Sequence, residues 1–131
     1  MTDESPLPSP VKPTVLIVDD EQPFLEMLEQ SFADDFNLAT LTSAAAAEKL
    51  MALRRFEVVV CDYLMPGEMG LDFLVRCAER WPQTRRILLT GYINPELLSR
   101  SVAIADLSAC LIKPVRPTEL AQAIRAAMNA H

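Results

Sequence analysis

Val58-Val59-Val60-Cys61-Asp62-Tyr63-Leu64-Met65-Pro66-Gly67 is the stretch that decides the fold. Four small apolar or β-branched residues in succession read as a strand buried on both faces, and such strands belong to parallel sheets covered by helices. Asp62 stands where that strand stops. Met65-Pro66 and Gly67 follow at once, so the chain is expected to leave the sheet through a loop rather than a hairpin, with an acidic side chain at the carboxyl edge. Open α/β sheets bind their ligands at that edge.

Outward from this strand the same pattern recurs. Thr14 to Val18 is a second apolar strand, and it too runs into acid, at Asp19-Asp20-Glu21. Pro23 suits the first turn of a helix, and Phe24, Leu25, Leu28 and Phe32 recur at helical spacing, which predicts an amphipathic helix over 22–33. A weaker strand is expected at Asn37 to Leu41, followed by a helix capped by Ser43 and running to about Arg54. Leu71, Leu74, Cys77 and Ala78 mark a helix over about 70–80. Arg86 to Leu89 is the fourth strand, ending at Thr90-Gly91, and Pro95 opens a helix with Leu97, Leu98, Val102 and Ala105 inward. The fifth strand, Ala109 to Ile112, ends at Lys113-Pro114, and Pro117 opens a last helix with Leu120, Ile124, Ala127 and Met128 on one face. Strand and helix alternate five times with connections too long for hairpins, which specifies a parallel sheet with helices on both faces. Residues 1–13, with four prolines among Ser and Asp, read as a mobile tail, and 14–129 as one domain.

Composition narrows the function. The chain has 131 residues, enough for one core, and 23% of them are charged with a net charge of -6. No cluster of Lys and Arg is present to neutralise phosphates, so nucleic-acid binding by this chain alone is not expected. No apolar run approaches the ~18 residues of a membrane span, which points to a cytoplasmic protein away from membranes. Cys61, Cys77 and Cys110 lie in apolar patterns without CxxC spacing and read as free thiols. The one histidine is His131, which leaves little room for His-based nucleophilic catalysis.

A parallel sheet brings the ends of strands one, three, four and five to one rim, and those ends are Asp19-Asp20, Asp62, Thr90 and Lys113. Two unit charges ~5 Å apart repel by about 3 kcal/mol at an effective dielectric of 20. Three carboxylates therefore require positive charge, which Lys113 and an oxygen-seeking Mg²⁺ would supply. An acidic pocket with a divalent cation, an ammonium and a hydroxyl suits phosphoryl transfer, and one carboxylate is then the nucleophile.

These residues, in this order, resemble a response-regulator receiver domain of two-component signalling. The acidic pair Asp19-Asp20, the Asp-x-x-Met-Pro segment at 62–66, Gly70-Leu71, Thr90 with a small residue after it, and Lys113-Pro114 carry the resemblance from Thr14 to Met128. It implies a flavodoxin-like, doubly wound, five-stranded parallel sheet of order 2-1-3-4-5 with five helices in a three-layer sandwich. It also implies that Asp62 takes phosphate from a sensor histidine kinase or a histidine phosphotransfer protein. Mg²⁺ would be held by Asp19, Asp20, Asp62 and the backbone carbonyl of Leu64. Thr90 and Lys113 would bind phosphoryl oxygens, Lys113-Pro114 would be cis, and Gly91 would leave room for the incoming phosphohistidine. The domain would catalyse only its own phosphorylation and dephosphorylation, signal to a downstream protein, and form a homodimer through helix four, strand five and helix five. Two readings compete: a degenerate receiver that docks partners without phosphate, and a metal-dependent phosphatase with an aspartate nucleophile. The phosphatase reading wants a second acid two residues on, where this chain has Leu64. Three features depart from or tune the family pattern. Cys110 replaces the usual aromatic residue three positions before the lysine, so the usual threonine-aromatic coupling is not expected. Asp106 replaces a glycine preferred at a left-handed helix end. Leu64 and Tyr92, two residues beyond Asp62 and Thr90, are expected at the mouth of the site, slowing hydrolytic water.

Overall fold

The computed structural model describes residues 12–91 and 94–129. Residues 1–11 of the tail proposed over 1–13, and Tyr92, lie outside the described residues. Five strands form one parallel sheet: β1 (Thr14–Val18), β2 (Asn37–Leu41), β3 (Val58–Asp62), β4 (Arg85–Thr90) and β5 (Ala109–Ile112). Their spatial order is β2-β1-β3-β4-β5, all pairs parallel, with Val18 opposite Cys61, Asp62 opposite Leu89 and Thr90 opposite Ile112. Helices α1 (Gln22–Ser31), α2 (Ala44–Leu53), α3 (Gly70–Arg80), α4 (Pro95–Ala105) and α5 (Pro117–Asn129) cover both faces. This is the flavodoxin-like order expected from the sequence.

Strand alternation divides the core in two. Val15, Ile17, Val58, Val60, Ile87 and Leu89 face α1 and α5, meeting Leu25, Leu28, Phe32, Leu120 and Ile124. Leu16, Val18, Val59, Cys61 and Leu88 face the other way, onto Ala47 and Met51 of α2, Phe73, Leu74 and Cys77 of α3, and Ala105 of α4. The central strands are buried on both faces, which is why they read as unbroken apolar runs. Ser43 caps α2 as expected, its hydroxyl accepting from the Ala46 amide at 3.1 Å. All three cysteines are free.

Three expectations need correction. The segment after Asp62 is not a plain loop: Leu64 pairs with Met69 and Met65 with Glu68 in a short antiparallel ladder. Pro66 and Gly67, with Gly67 at φ +87°, form the turn that closes it, the arrangement a type II turn requires of its central pair. Helix α1 stops at Ser31, and Phe32 and Phe36 stay buried beyond its end as an edge-to-face pair at 5.2 Å. In α4, Val102 faces solvent at 41% exposure while Ser101 is buried. Ser101 turns inward because its hydroxyl donates to the Leu97 carbonyl at 2.8 Å, which removes the cost of burying it.

Candidate functional site

The carboxyl rim gathers the polar strand ends around Lys113. Asp19 follows β1 and is fully buried, its amide donating to the Leu41 carbonyl at 3.1 Å. One Asp19 oxygen accepts from the Glu21 amide at 2.9 Å and the other from Lys113 Nζ at 2.8 Å. Asp62, the last residue of β3, is buried, and its Oδ1 lies 3.2 Å from Lys113 Nζ. Lys113 directly follows β5, where its amide donates to the Thr90 carbonyl at 2.8 Å, and the Lys113-Pro114 peptide is cis. Thr90 is buried at the end of β4, one position past the residue paired with Asp62. Asp20 is exposed, and one oxygen from each of Asp19, Asp20 and Asp62 lies within 4.8 Å of the other two.

The electrostatics follow from this crowding. Burial raises the Asp62 pKa above its ordinary value; Lys113 opposes the rise, and Asp19 and Asp20 add to it. For Lys113, burial disfavours the ammonium, but hydrogen bonds to Asp19 and Glu21 and the charge of Asp62 outweigh it and hold the pKa above its usual value. The ammonium is thus fixed as a cation. It offsets one charge among four neighbouring carboxylates, Asp19, Asp20, Glu21 and Asp62. Convergent hard oxygen donors with surplus negative charge fit a divalent cation of the Mg²⁺ type.

Each of the other residues singled out in the sequence can now be placed. Leu64 opens the ladder beyond Asp62 and is 49% exposed, at the rim. Gly91 lies at the surface, and a Cβ added there would meet nothing within 4 Å. Cys110 pairs with Leu88 and is half-buried against the α2–α4 side of the core. Burial pushes its thiol pKa up, so it is a packing group, not a reactive thiolate. Asp106 adopts the left-handed conformation at φ 50°, ψ 55° at the end of α4, as its position predicted.

Five further residues support the site. Glu21 pairs with Lys113 at 3.0 Å, and the Phe24 ring lies 5.2 Å from the same ammonium. Gly70 opens α3 so close to β3 that an added Cβ would stand 1.8 Å from the Asp62 carbonyl oxygen. Arg76 clamps Glu48 of α2 and Glu68 of the ladder, with contacts of 2.6 and 2.7 Å, and so ties the segment after Asp62 to two helices. Arg86, buried in β4, donates to the Ala105 carbonyl at 2.9 Å and the Asp106 carbonyl at 3.1 Å, closing the end of α4. Only Gly70 had a signal in the sequence, as part of Gly70-Leu71. The others depend on distances between elements.

With this geometry in view, comparison with known proteins is direct. The family model of the response regulator receiver domain matches residues 15–125. The chain is 35% identical over 117 residues to the hydrogenase transcriptional regulatory protein HoxA of Cupriavidus necator, covering 89% of this chain and 24% of that protein. It is 31% identical over 116 residues to the photosynthetic apparatus regulatory protein RegA of Cereibacter sphaeroides, covering 86% of this chain and 61% of RegA. Among solved structures, the signal receiver domain of an HD domain-containing protein from Pseudomonas fluorescens Pf-5 superposes with a TM-score of 0.82 at 30% identity, covering 89% of this chain and 94% of that one. The chemotaxis protein CheY4 of Vibrio cholerae shares the fold, with a TM-score of 0.82 at 22% identity over 89% of this chain and 99% of its own. The chain belongs to the response regulator receiver domain family of two-component signalling. It is therefore a signalling module rather than an enzyme of metabolism. It spans about a quarter of the length of HoxA. No helix among the described residues is long and apolar enough to cross a membrane.

Proposed function

We propose that this receiver domain is a working phosphoacceptor and that Asp62 is the residue phosphorylated. The observation that carries the reading is the convergence of Asp19, Asp20 and Asp62 within 4.8 Å, with Lys113 at 3.2 Å from Asp62. A domain kept only for docking has no need to crowd like charges beside one ammonium, because such crowding costs stability.

In the proposed reaction an Asp62 oxygen forms a bond to phosphorus as the bond from phosphorus to the donor's histidine nitrogen breaks. The electron pair leaves on the imidazole, which then takes a proton from solvent. The donor is a sensor histidine kinase or a histidine phosphotransfer protein. Lys113 offsets charge on the phosphoryl oxygens, and the Thr90 hydroxyl donates to another of them. The open space at Gly91 admits the donor's ring. Mg²⁺, held by Asp19, Asp20, Asp62 and the Leu64 carbonyl, would supply two further positive charges against the same oxygens. The exposed, apolar Leu64 side chain slows the loss of the phosphoryl group by limiting water at the mouth.

Phosphorylation adds charge and acceptor oxygens at the rim, and a downstream protein reads the change. With Cys110 where an aromatic residue is usual, the signal passes without an aromatic rotamer exchange. The solvent-facing Val102 and Ile104 of α4, exposed by 41% and 58%, support a homodimer through α4, β5 and α5. Incubation with a small phosphodonor and Mg²⁺, followed by mass mapping of the modified residue, tests the central assignment.

A further inference from the structure

Lys113 has three N–H donors, and in this structure it hydrogen bonds to two carboxylate oxygens and forms an ion pair with a third. They are Asp19 Oδ2 at 2.8 Å, Glu21 Oε1 at 3.0 Å and Asp62 Oδ1 at 3.2 Å. The remaining side of the ammonium faces the Phe24 ring at 5.2 Å. Two of its donors are committed to Asp19 and Glu21, so a phosphoryl group on Asp62 that draws on more than the third must displace one of these partners or share its place.

The three partners are not equally easy to displace. Asp19 is fully buried, and losing its ammonium would leave a charge out of reach of water, an expensive outcome. Asp62 is the acceptor itself and must stay within reach of Lys113 if the ammonium is to neutralise what Asp62 receives. Glu21 is different: its side chain is 64% exposed, and released into solvent it is hydrated at once. It also makes no side-chain cap to α1, although it occupies the N-cap position, and its carboxylate instead accepts from Lys113.

From this asymmetry we infer that Glu21 is a positioning residue that holds Lys113 in the resting state and competes with phosphoryl oxygens for it. The inference rests on Asp62 being the phosphoacceptor and adds a determinant of how readily the phosphorylated form is populated. Glu21 acts in two ways of the same sign. It occupies a donor that the phosphoryl group needs, and its negative charge at the rim repels the incoming anion. Removing the charge favours the phosphorylated state; exposed pairs of this kind are worth little each, so the expected gain is about threefold.

The test is calorimetric titration of the full chain with beryllofluoride in Mg²⁺, comparing the wild type, Glu21→Gln and Glu26→Gln. Glu26 is an exposed acid on the same helix and has no contact with Lys113 among the described residues, so it controls for net charge. Glu21→Gln is expected to bind about threefold more tightly at low salt, with the gain fading near 1 M salt, where the screening length falls to about 3 Å. Glu26→Gln is expected to match the wild type. Equal affinity for wild type and Glu21→Gln, or an equal gain in Glu26→Gln, overturns the inference. If the wild type binds no beryllofluoride at all, the phosphoacceptor reading is what fails. The hold of Glu21 on Lys113 is then read by NMR exchange of the Lys113 ammonium protons, which must quicken in Glu21→Gln and not in Glu26→Gln for the resting-state pair to stand.

Discussion

Gly70→Ala probes the point where fold and site are one structure. The Gly70 amide donates to the Tyr63 carbonyl at 2.8 Å, which draws the start of α3 against the end of β3. An alanine Cβ would stand 1.8 Å from the Asp62 carbonyl oxygen, 2.9 Å from its carbonyl carbon and 2.9 Å from Cys61 Sγ. Two of those three atoms are backbone and cannot turn aside, so either the first turn of α3 or the last peptide of β3 must move. Overpacking a tight site costs 1–3 kcal/mol, and a clash against backbone belongs at the upper end, about 3 kcal/mol. At ~4 °C per kcal/mol for a domain of this size, the thermal midpoint should fall by about 12 °C. The methyl itself would favour the helix, by up to ~1 kcal/mol relative to glycine, so the predicted sign opposes intrinsic propensity. Circular dichroism melts measure the midpoint, and beryllofluoride binding in Mg²⁺ reports whether Asp62 has moved. A Gly70→Ala protein that melts within a degree of the wild type and binds beryllofluoride equally would show that the close approach is not what positions Asp62.

Two further substitutions address the charge balance. Lys113→Met leaves the buried Asp19 carboxylate without its ammonium, and breaking such a pair should cost about 3 kcal/mol in metal-free buffer. Millimolar Mg²⁺ should recover part of that loss in denaturant melts, whereas an equal deficit with and without Mg²⁺ would argue against a cation site at the acidic cluster. Burial raises the Asp62 pKa above the unfolded value near about 4, so the folded chain binds that proton more tightly. Ionised Asp62 then costs stability; the cost is absent below the unfolded pKa and fully present above the folded one. Asp62→Asn is therefore expected to melt higher than the wild type at pH 7 without metal, with the difference shrinking as pH approaches 4. A difference that grows on acidification would reverse the sign assigned to this group.

The sequence carried the sheet because β1 and β3 are apolar on both faces, a pattern that needs helices above and below. It carried Asp19, Asp62, Thr90 and Lys113 because a parallel sheet sends alternate loops to one rim, whatever their separation along the chain. What stayed hidden depends on partners remote in sequence. Glu21 reads as a helix-start acid until β5 is seen to bring Lys113 beside it. Arg86 reads only as the start of the fourth strand, and its buried guanidinium is explained by the carbonyls at the end of α4 that it satisfies. Val102 is expected inward, but Ser101 is the residue buried there, its hydroxyl satisfied within its own helix. Pro66-Gly67 was legible as a break, but the ladder it closes depends on Gly67 at positive φ and on Arg76 pinning Glu68.

The most direct measurement is the fate of Asp62 when the chain is incubated with a small phosphodonor and Mg²⁺. Mass mapping should find a phosphoryl group on Asp62, with the gain absent in Asp62→Asn and abolished when Mg²⁺ is chelated. A folded chain that gains no mass, or that carries the phosphoryl group on another residue, would contradict the assignment of Asp62 as the acceptor.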